Sequence, residues 1–359
     1  MTLATKTLKD SVIDYCAHIG ADPMLVQGAG GNVSWKDGQT LWVKASGAWL
    51  ADAARKEIFV PVDLTHLQRA IATGDFHVSP WICGESNSRP SIETLLHALM
   101  PHRVVVHLHA VEVLARLVRS NSEEEVSSLV GESLRWLSVG YFKPGADLAK
   151  VISESMKQAL DVEVVFLKNH GVIIGGAGVE EVDAILKRLI ATFNTPPRTG
   201  TGNNINISRL DEVEKLGYRL ISNQEVNQLA RDRRLLERIK VDWALYPDHV
   251  VFLGAKAFCF DDMDDFISLV LRAEHLPELV FIRDVGVFEN EKLSDAQKAQ
   301  ILCYGAVMSR QSDDEKLNPL TDEHIAQLLN WDAEKYRMSI SLGESGEYSK
   351  SACLPIKRS

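Results

Sequence analysis

Two histidines separated by one leucine, His107-Leu108-His109, close the apolar run Val104-Val105-Val106. Side chains at i and i+2 of a strand point to the same face, so both imidazoles can reach one ion. A third histidine, His170, follows a second apolar run in Phe166-Leu167-Lys168-Asn169-His170 and precedes Gly171. Three neutral imidazoles with an open fourth position form the ligand set of a catalytic zinc or a similar divalent ion; a structural zinc more often closes with cysteine. A single strand histidine is more often a hydrogen-bonded core residue. Two at this spacing, at the polar end of a buried run, shift the reading toward a metal. Gly171 allows a sharp backbone turn and leaves the His170 ring free to point into a site.

Glu93 lies just before the histidine strand, within a predicted helix over residues 91–100 led by Pro90 and Ser91. A carboxylate beside a divalent ion either ligates it or moves protons on a bound substrate. The plain alternative is an acid that favours the helix dipole. His97, four residues on, could pair with Glu93 and reads as structural. The glycine loop Gly28-Ala29-Gly30-Gly31-Asn32-Val33-Ser34 fits neither a dinucleotide fingerprint nor a Walker loop, because Val33 stands where the third glycine belongs. Its small residues, with Lys44-Ala45-Ser46-Gly47 and Arg89-Pro90-Ser91, could offer N–H donors to a phosphate or carboxylate. Each segment alone reads as a plain turn. All three lie upstream of the same histidine pair.

These residues need elements to hold them. Periodicity predicts helices over 5–19, 63–72 (with Asp63 as N-cap), 145–160 and 179–193, and strands at 40–44 and 104–109. The segment 162–174 reads as two strands broken at Asn169-His170-Gly171, a hairpin. Residues 194–208, rich in Thr, Pro, Gly and Asn, read as a linker or long loop. Beyond it come two helical stretches, strands near 250–253 and 279–282, and long helices from about Ser294 and Thr321. Alternating strands and helices favour an α/β layered fold, and the hairpin argues for a mixed or antiparallel sheet. There is no internal repeat.

The 359 residues suffice for one large or two medium domains, and 45% hydrophobic with 25% charged residues is an ordinary globular composition. A net charge of −10 argues against nucleic acid as partner. No apolar run is long enough to span a bilayer, and Met1 to Asp10 lacks the apolar core of a secretory signal. Cys16, Cys83, Cys259, Cys303 and Cys353 are scattered without a Cys-x-x-Cys pair and read as reduced thiols of a cytoplasmic protein. The Asn-x-Ser triplets at Asn32 and Asn206 then lose their reading as glycosylation sites.

The ordered set Gly30-Gly31-Asn32-Val33-Ser34, Ser46-Gly47, Ser91-Ile92-Glu93, His107-Leu108-His109 and Asn169-His170-Gly171 resembles the class II aldolase/adducin family. Val43-Lys44-Ala45-Ser46-Gly47, Pro90-Ser91-Ile92-Glu93-Thr94-Leu95-Leu96-His97 and the stretch Leu279 to Phe288 are similar to the aldolase portion of rhamnulose-phosphate aldolase/lactaldehyde dehydrogenase proteins. The likeness is strong before about residue 195 and weaker after it, and the dehydrogenase portion has no counterpart here. The resemblance implies a three-layer α/β/α fold with a mixed, largely antiparallel sheet. It places a metal-binding core at 1–208 and an α+β extension at 209–359. It implies metal ligands at His107, His109 and His170, with zinc as the expected ion. It implies acid/base chemistry at Glu93 and phosphate contacts at Asn32, Ser46, Gly47 and Ser91.

The implied activity is retro-aldol cleavage of a ketose phosphate such as rhamnulose 1-phosphate through a metal-stabilised enediolate, in a homo-oligomer, with a tetramer as one expected form. A C-terminal tyrosine, often from a neighbouring subunit, would protonate the aldehyde oxygen; Tyr218, Tyr246, Tyr304 and Tyr336 are the candidates. The alternatives are an epimerase or decarboxylase using the same metal, or a non-catalytic adducin-like module. Adducin-type members have lost ligands that this chain keeps. Two departures stand out: His107-Leu108-His109-Ala110 replaces the common His-Thr-His-Pro, and Ile92 replaces a serine, removing a hydroxyl from the phosphate site.

Overall fold

The run bearing the paired histidines becomes the central strand of a seven-stranded sheet in the computed structural model, which describes residues 7–159, 161–198, 210–273 and 275–341. The strands are β1 (Asn32–Asp37), β2 (Thr40–Lys44), β3 (Phe59–Asp63), β4 (Val104–Leu108), β5 (Trp136–Val139), β6 (Val164–Leu167) and β7 (Gly171–Gly176). Their order is β3-β2-β1-β4-β7-β6-β5. Within this sheet only the β5–β6 pairing is parallel, so it is mixed and largely antiparallel.

Helices α1 (Leu8–Gly20), α2 (Leu64–Thr73), α3 (Thr94–Leu99), α4 (Val111–Leu117), α5 (Ser122–Val130), α6 (Ala146–Met156) and α7 (Val179–Phe193) cover the two faces. On one face Val104, Val106 and Leu108 pack with α1, α4, α5 and α7. On the other, Val105 packs with α2, α3 and α6. β4 thus has neighbours on both edges and helices on both faces, which is why it reads as an unbroken apolar run rather than an alternating one. Alternation puts His107 on the Val105 face, the side of α3.

The sequence reading holds closely for β2, α7 and the cap of α2, where the Asp63 carboxylate accepts the His66 N–H at 2.8 Å. The predicted hairpin is β6 and β7, antiparallel, with Asn169 at φ 55° in the turn. Strands β3 and β5 and helices α4 and α5 escaped the periodicity, being short or strongly buried.

After residue 209 the chain forms α8 (Leu210–Lys215), β8 (Tyr218–Leu220), α9 (Gln224–Arg231), α10 (Arg233–Ile239), α11 (Pro247–Leu253), β9 (Cys259–Phe260), α12 (Met263–Val270), β10 (Leu279–Ile282) and β11 (Gly286–Asn290). The described residues then form α13 (Asp295–Ser309), α14 (Asp322–Leu329) and α15 (Asp332–Ser341). The second sheet runs β8-β11-β10-β9. The expected strand at 250–253 is wrong: Val250 to Leu253 lie in α11, which Pro247 starts at its first turn. A short apolar run does not separate strand from buried helix, and the proline favours a helix start. The long helix expected from Thr321 is two helices, α14 ending at Leu329 with Asn330 as its C-cap. Ser294 begins α13 with a capping box to Gln297. No helix among the described residues is long and apolar enough to cross a membrane. The loop expected at 194–208 is described only to residue 198; Asn206 and Cys353 lie outside the described residues.

Candidate metal centre

β4 ends at Leu108, and His109 continues past it toward α4. His170 sits in the tight turn between β6 and β7, beside β4. The three rings stand with centroids 4.8 to 5.3 Å apart, and a ligating atom from each lies within 4.8 Å of the others. All three are buried. Two glycines make room for His109. A Cβ on Gly171 would meet its Cδ2 at 3.0 Å and the Leu108 carbonyl at 2.4 Å; one on Gly30 would meet its Nδ1 at 3.2 Å.

The hydrogen bonds decide which nitrogens face inward. His107 Nδ1 lies 3.1 Å from the Val172 carbonyl, which only accepts, so Nδ1 carries the proton and Nε2 the lone pair. His109 Nδ1 lies 3.4 Å from the Asp248 carboxylate, which places its proton there as well. The two Nε2 atoms then face each other at 3.3 Å. Two lone pairs at that distance repel unless a cation lies between them. Imidazole nitrogens bound tetrahedrally to one zinc ion at ~2.0–2.1 Å would be about 3.3 Å apart. The donor set therefore fits a divalent metal. Burial pushes the His170 ring down to about 3, so it is a neutral ligand at ordinary pH.

Glu93 closes the fourth side. It occupies the residue before α3 but makes no capping hydrogen bond, so its carboxylate is not serving the helix. Oε1 lies 3.4 Å from His170 Nε2 and Oε2 lies 3.5 Å from His107 Nε2. Asn32, whose backbone pairs with His107 across β1 and β4, donates to Oε2 at 2.7 Å. Burial favours the neutral acid, but the facing His107, His170 and His109 rings, when protonated, and Arg337 outweigh it and lower the carboxyl from its ordinary value. His97 does not pair with Glu93. It turns to Ser34, with Nδ1 2.8 Å from Oγ, in a buried position.

The three segments offered above as anion donors do meet. Asn32, Ser46, Gly47 and Ser91 line one cavity with Glu93 and His170. Two of the expected backbone donors are already used: Ser46 N–H binds the Arg89 carbonyl and Ser91 N–H the Lys44 carbonyl. The Ser91 hydroxyl accepts the Glu93 N–H at 3.2 Å, leaving its own proton for a ligand.

Three charged residues in the cavity wall escaped the sequence reading. Asp248, in the first turn of α11, is brought in because Asn169, beside His170, donates to the Leu245 carbonyl at 2.8 Å. Glu334 and Arg337 come from α15, where Arg337 bridges Asp248 at 2.9 Å and Glu334 at 2.8 Å. The only sequence signal was Pro247, which marks a helix start with Asp248 in its first turn. The expected tyrosines lie elsewhere: Tyr218 donates to the Pro277 carbonyl, Tyr304 to the Asp242 carbonyl, Tyr336 stacks on Arg89, and Tyr246 is buried before Pro247. Among the described residues no tyrosine lines the cavity.

Lys44 is also in the wall. Its ammonium donates to the Ala29 and Ala48 carbonyls, both at 2.7 Å. Burial, with repulsion from Arg337, pushes it down to about 7. The unfolded chain, with an ordinary lysine, binds this proton more tightly. The cost of charging Lys44 in the fold is thus fully present below about pH 7 and fades as pH rises toward the unfolded value, so this residue makes stability rise with pH across that window. Between about pH 7.5 and 9.5, denaturant unfolding of Lys44→Met should show a change in stability about 2 kcal/mol less positive than the wild type's, the linkage of one proton over two pH units. Equal changes in the two proteins would mean that Lys44 stays charged throughout.

The sequence profile of the class II aldolase and adducin N-terminal domain matches residues 10–190. An uncharacterized oxidoreductase of Bacillus subtilis (strain 168), YuxG, is 28% identical over 174 residues, 44% of this chain and 25% of that protein; the chain spans about a quarter of its length. Among solved structures, the N-terminal class II aldolase domain of a conserved protein from Thermoplasma acidophilum is 23% identical, with a TM-score of 0.45 over 54% of this chain and 94% of that one. L-fuculose-1-phosphate aldolase from Thermus thermophilus is 17% identical, with a TM-score of 0.33 over 51% and 89%. The profile match includes Glu93 and the three histidines and stops short of Asp248, Glu334 and Arg337.

Proposed function

Because this chain belongs to the class II aldolase and adducin family, we propose that it is a metal-dependent aldolase that cleaves a carbon–carbon bond of a ketose phosphate, with rhamnulose 1-phosphate as the first substrate to test. The observation that carries the reading is the convergence of His107, His109 and His170 with Glu93 in one buried cavity. The three imidazoles hold a divalent ion, zinc by the chemistry of the donor set. Bound there, the ion supplies Lewis-acid stabilisation of the oxyanion charge that develops as the bond breaks. Glu93 moves the proton at Oε1, which has no hydrogen-bond partner in the fold, while Asn32 fixes Oε2. The hydroxyls of Ser46 and Ser91 and the backbone at Gly47, with Asn32 beside them, receive the substrate's anionic end. The core is assigned to residues 1–208 and the C-terminal extension to 209–359. An epimerase or decarboxylase would use the same first half-reaction. Retention of all four residues disfavours a non-catalytic adducin-like role.

The test is a panel of ketose phosphates incubated with the zinc-loaded protein, read as released aldehyde. Ser91→Ala should leave metal content unchanged and raise KM for the phosphorylated substrate roughly tenfold to a hundredfold, the loss of one hydrogen bond to a charged group at about 1.5–3 kcal/mol. Faster turnover of the dephosphorylated sugar would overturn the phosphate assignment and keep the metal chemistry.

A further inference from the structure

The family match ends at residue 190, yet the carboxylate facing His109 comes from residue 248. We propose that Asp248 is a positioning residue for the metal centre: it holds the proton of His109 on Nδ1, so that Nε2 presents its lone pair to the ion. The proposal rests on the metal reading above.

Four observations converge on it. His109 Nε2 is the atom that faces His107 Nε2, at 3.3 Å, so Nδ1 is the nitrogen left outside the ion's shell. Asp248 Oδ2 is 3.4 Å from that Nδ1 and is buried without a hydrogen-bond partner, so the ring nitrogen is the group it faces. Oδ1 is taken by Arg337 at 2.9 Å, which fixes the plane of the carboxylate and leaves Oδ2 aimed at the ring. Gly30 lies where the two groups meet: a Cβ there would stand 2.8 Å from Oδ2 and 3.2 Å from Nδ1. A side chain at residue 30 would push Asp248 away from His109.

His107 is oriented differently, by the neutral Val172 carbonyl. A carboxylate partner does more than orient. It raises the basicity of the ring it touches and is favoured by the cation beyond it. Asp248 is 3% exposed, so its charge needs a permanent partner, and Arg337 supplies one from α15. Glu334 accepts from the same guanidinium nitrogen, Nη1, at 2.8 Å. Through this chain of contacts α15 becomes part of the support of His109.

Asp248→Asn separates this role from a merely structural one. The amide keeps the volume and can keep an oxygen on Arg337, but it turns an N–H₂ toward His109. Two donors cannot face each other, so the ring moves its proton to Nε2, the nitrogen the ion needs. Zinc affinity of the full chain, measured by competition with a chromogenic chelator, should fall about 10- to 100-fold, the usual scale for loss of such a partner. Ring 15N spectra of the metal-free protein should show His109 changing tautomer, and the absorption of the cobalt-substituted protein should shift. A structural role would lower the thermal midpoint and leave tautomer and affinity unchanged. Wild-type affinity and an unchanged tautomer in Asp248→Asn would overturn the proposal. Asp248→Glu is the second variant: a restored carboxylate should recover affinity above the Asn level, and failure to do so in a folded protein also counts against it. A wild-type protein that takes up no zinc would refute the metal centre itself, a distinct result.

Discussion

His107→Ala and His109→Ala are each expected to leave the purified protein without its divalent ion, and with no aldehyde release. In the wild type, elemental analysis after dialysis should find close to one ion per chain. Each variant removes one of three neutral nitrogens, and no other imidazole belongs to the cluster found among the described residues. His109→Ala is the cleaner of the two. His107 is fully buried within the sheet, paired with β7, so its truncation also leaves a cavity and lowers stability. His109 lies at the rim, where β4 has already ended. If both variants kept a full complement of metal, the ion would be held elsewhere and the assignment of all three histidines would fall.

Glu93→Gln should have the second largest effect and the opposite signature: metal retained, turnover down by about 10²-fold or more. Glutamine preserves the volume and can accept the Asn32 N–H with its oxygen, as Oε2 does now. It then places an amide N–H₂ where Oε1 stands, which neither takes nor returns a proton. Substrate KM should change little, because the anionic end is bound by Asn32, Ser46, Gly47 and Ser91 instead. Steady-state kinetics on the zinc-loaded variant, with metal content measured in parallel, separates the two effects. Turnover at the wild-type level would remove Glu93 from the chemistry, although its carboxylate makes no helix cap that would otherwise account for it.

The convergence of the candidate site residues of the first half was legible because their positions are set by local rules. The alternation of a strand is enough to put His107 and His109 on one side, and Asn169-His170-Gly171 announces a turn by composition alone. The match of residues 10–190 to the family profile agrees with the resemblance that these motifs carry. Capping residues told the ends of helices: Asp63 and Ser294 do what their types predict. Misreadings came where a pattern is too short to have a period. Val250 to Leu253 could be strand or buried helix, and the wrong choice hid Asp248, which the right one would have set in the first turn of a helix.

The imidazoles, the carboxylate, the small residues beside them and the layered fold could all be read along the chain, because each depends on neighbours two to four positions away. How the rings are turned, and what stands behind them, could not. Asp248 and Arg337 are far from His109 along the chain and reach it because Asn169 binds Leu245 and α15 folds back onto α11. The tautomer of His109 depends on that contact. Whether Ser46 and Ser91 offer a ligand their backbone or only their hydroxyl depends on the crossing of two loops, where their N–H groups bind each other's neighbours. Long-range approach of this kind leaves no period in the sequence, since it is set by the packing of whole elements rather than by the residues next in line.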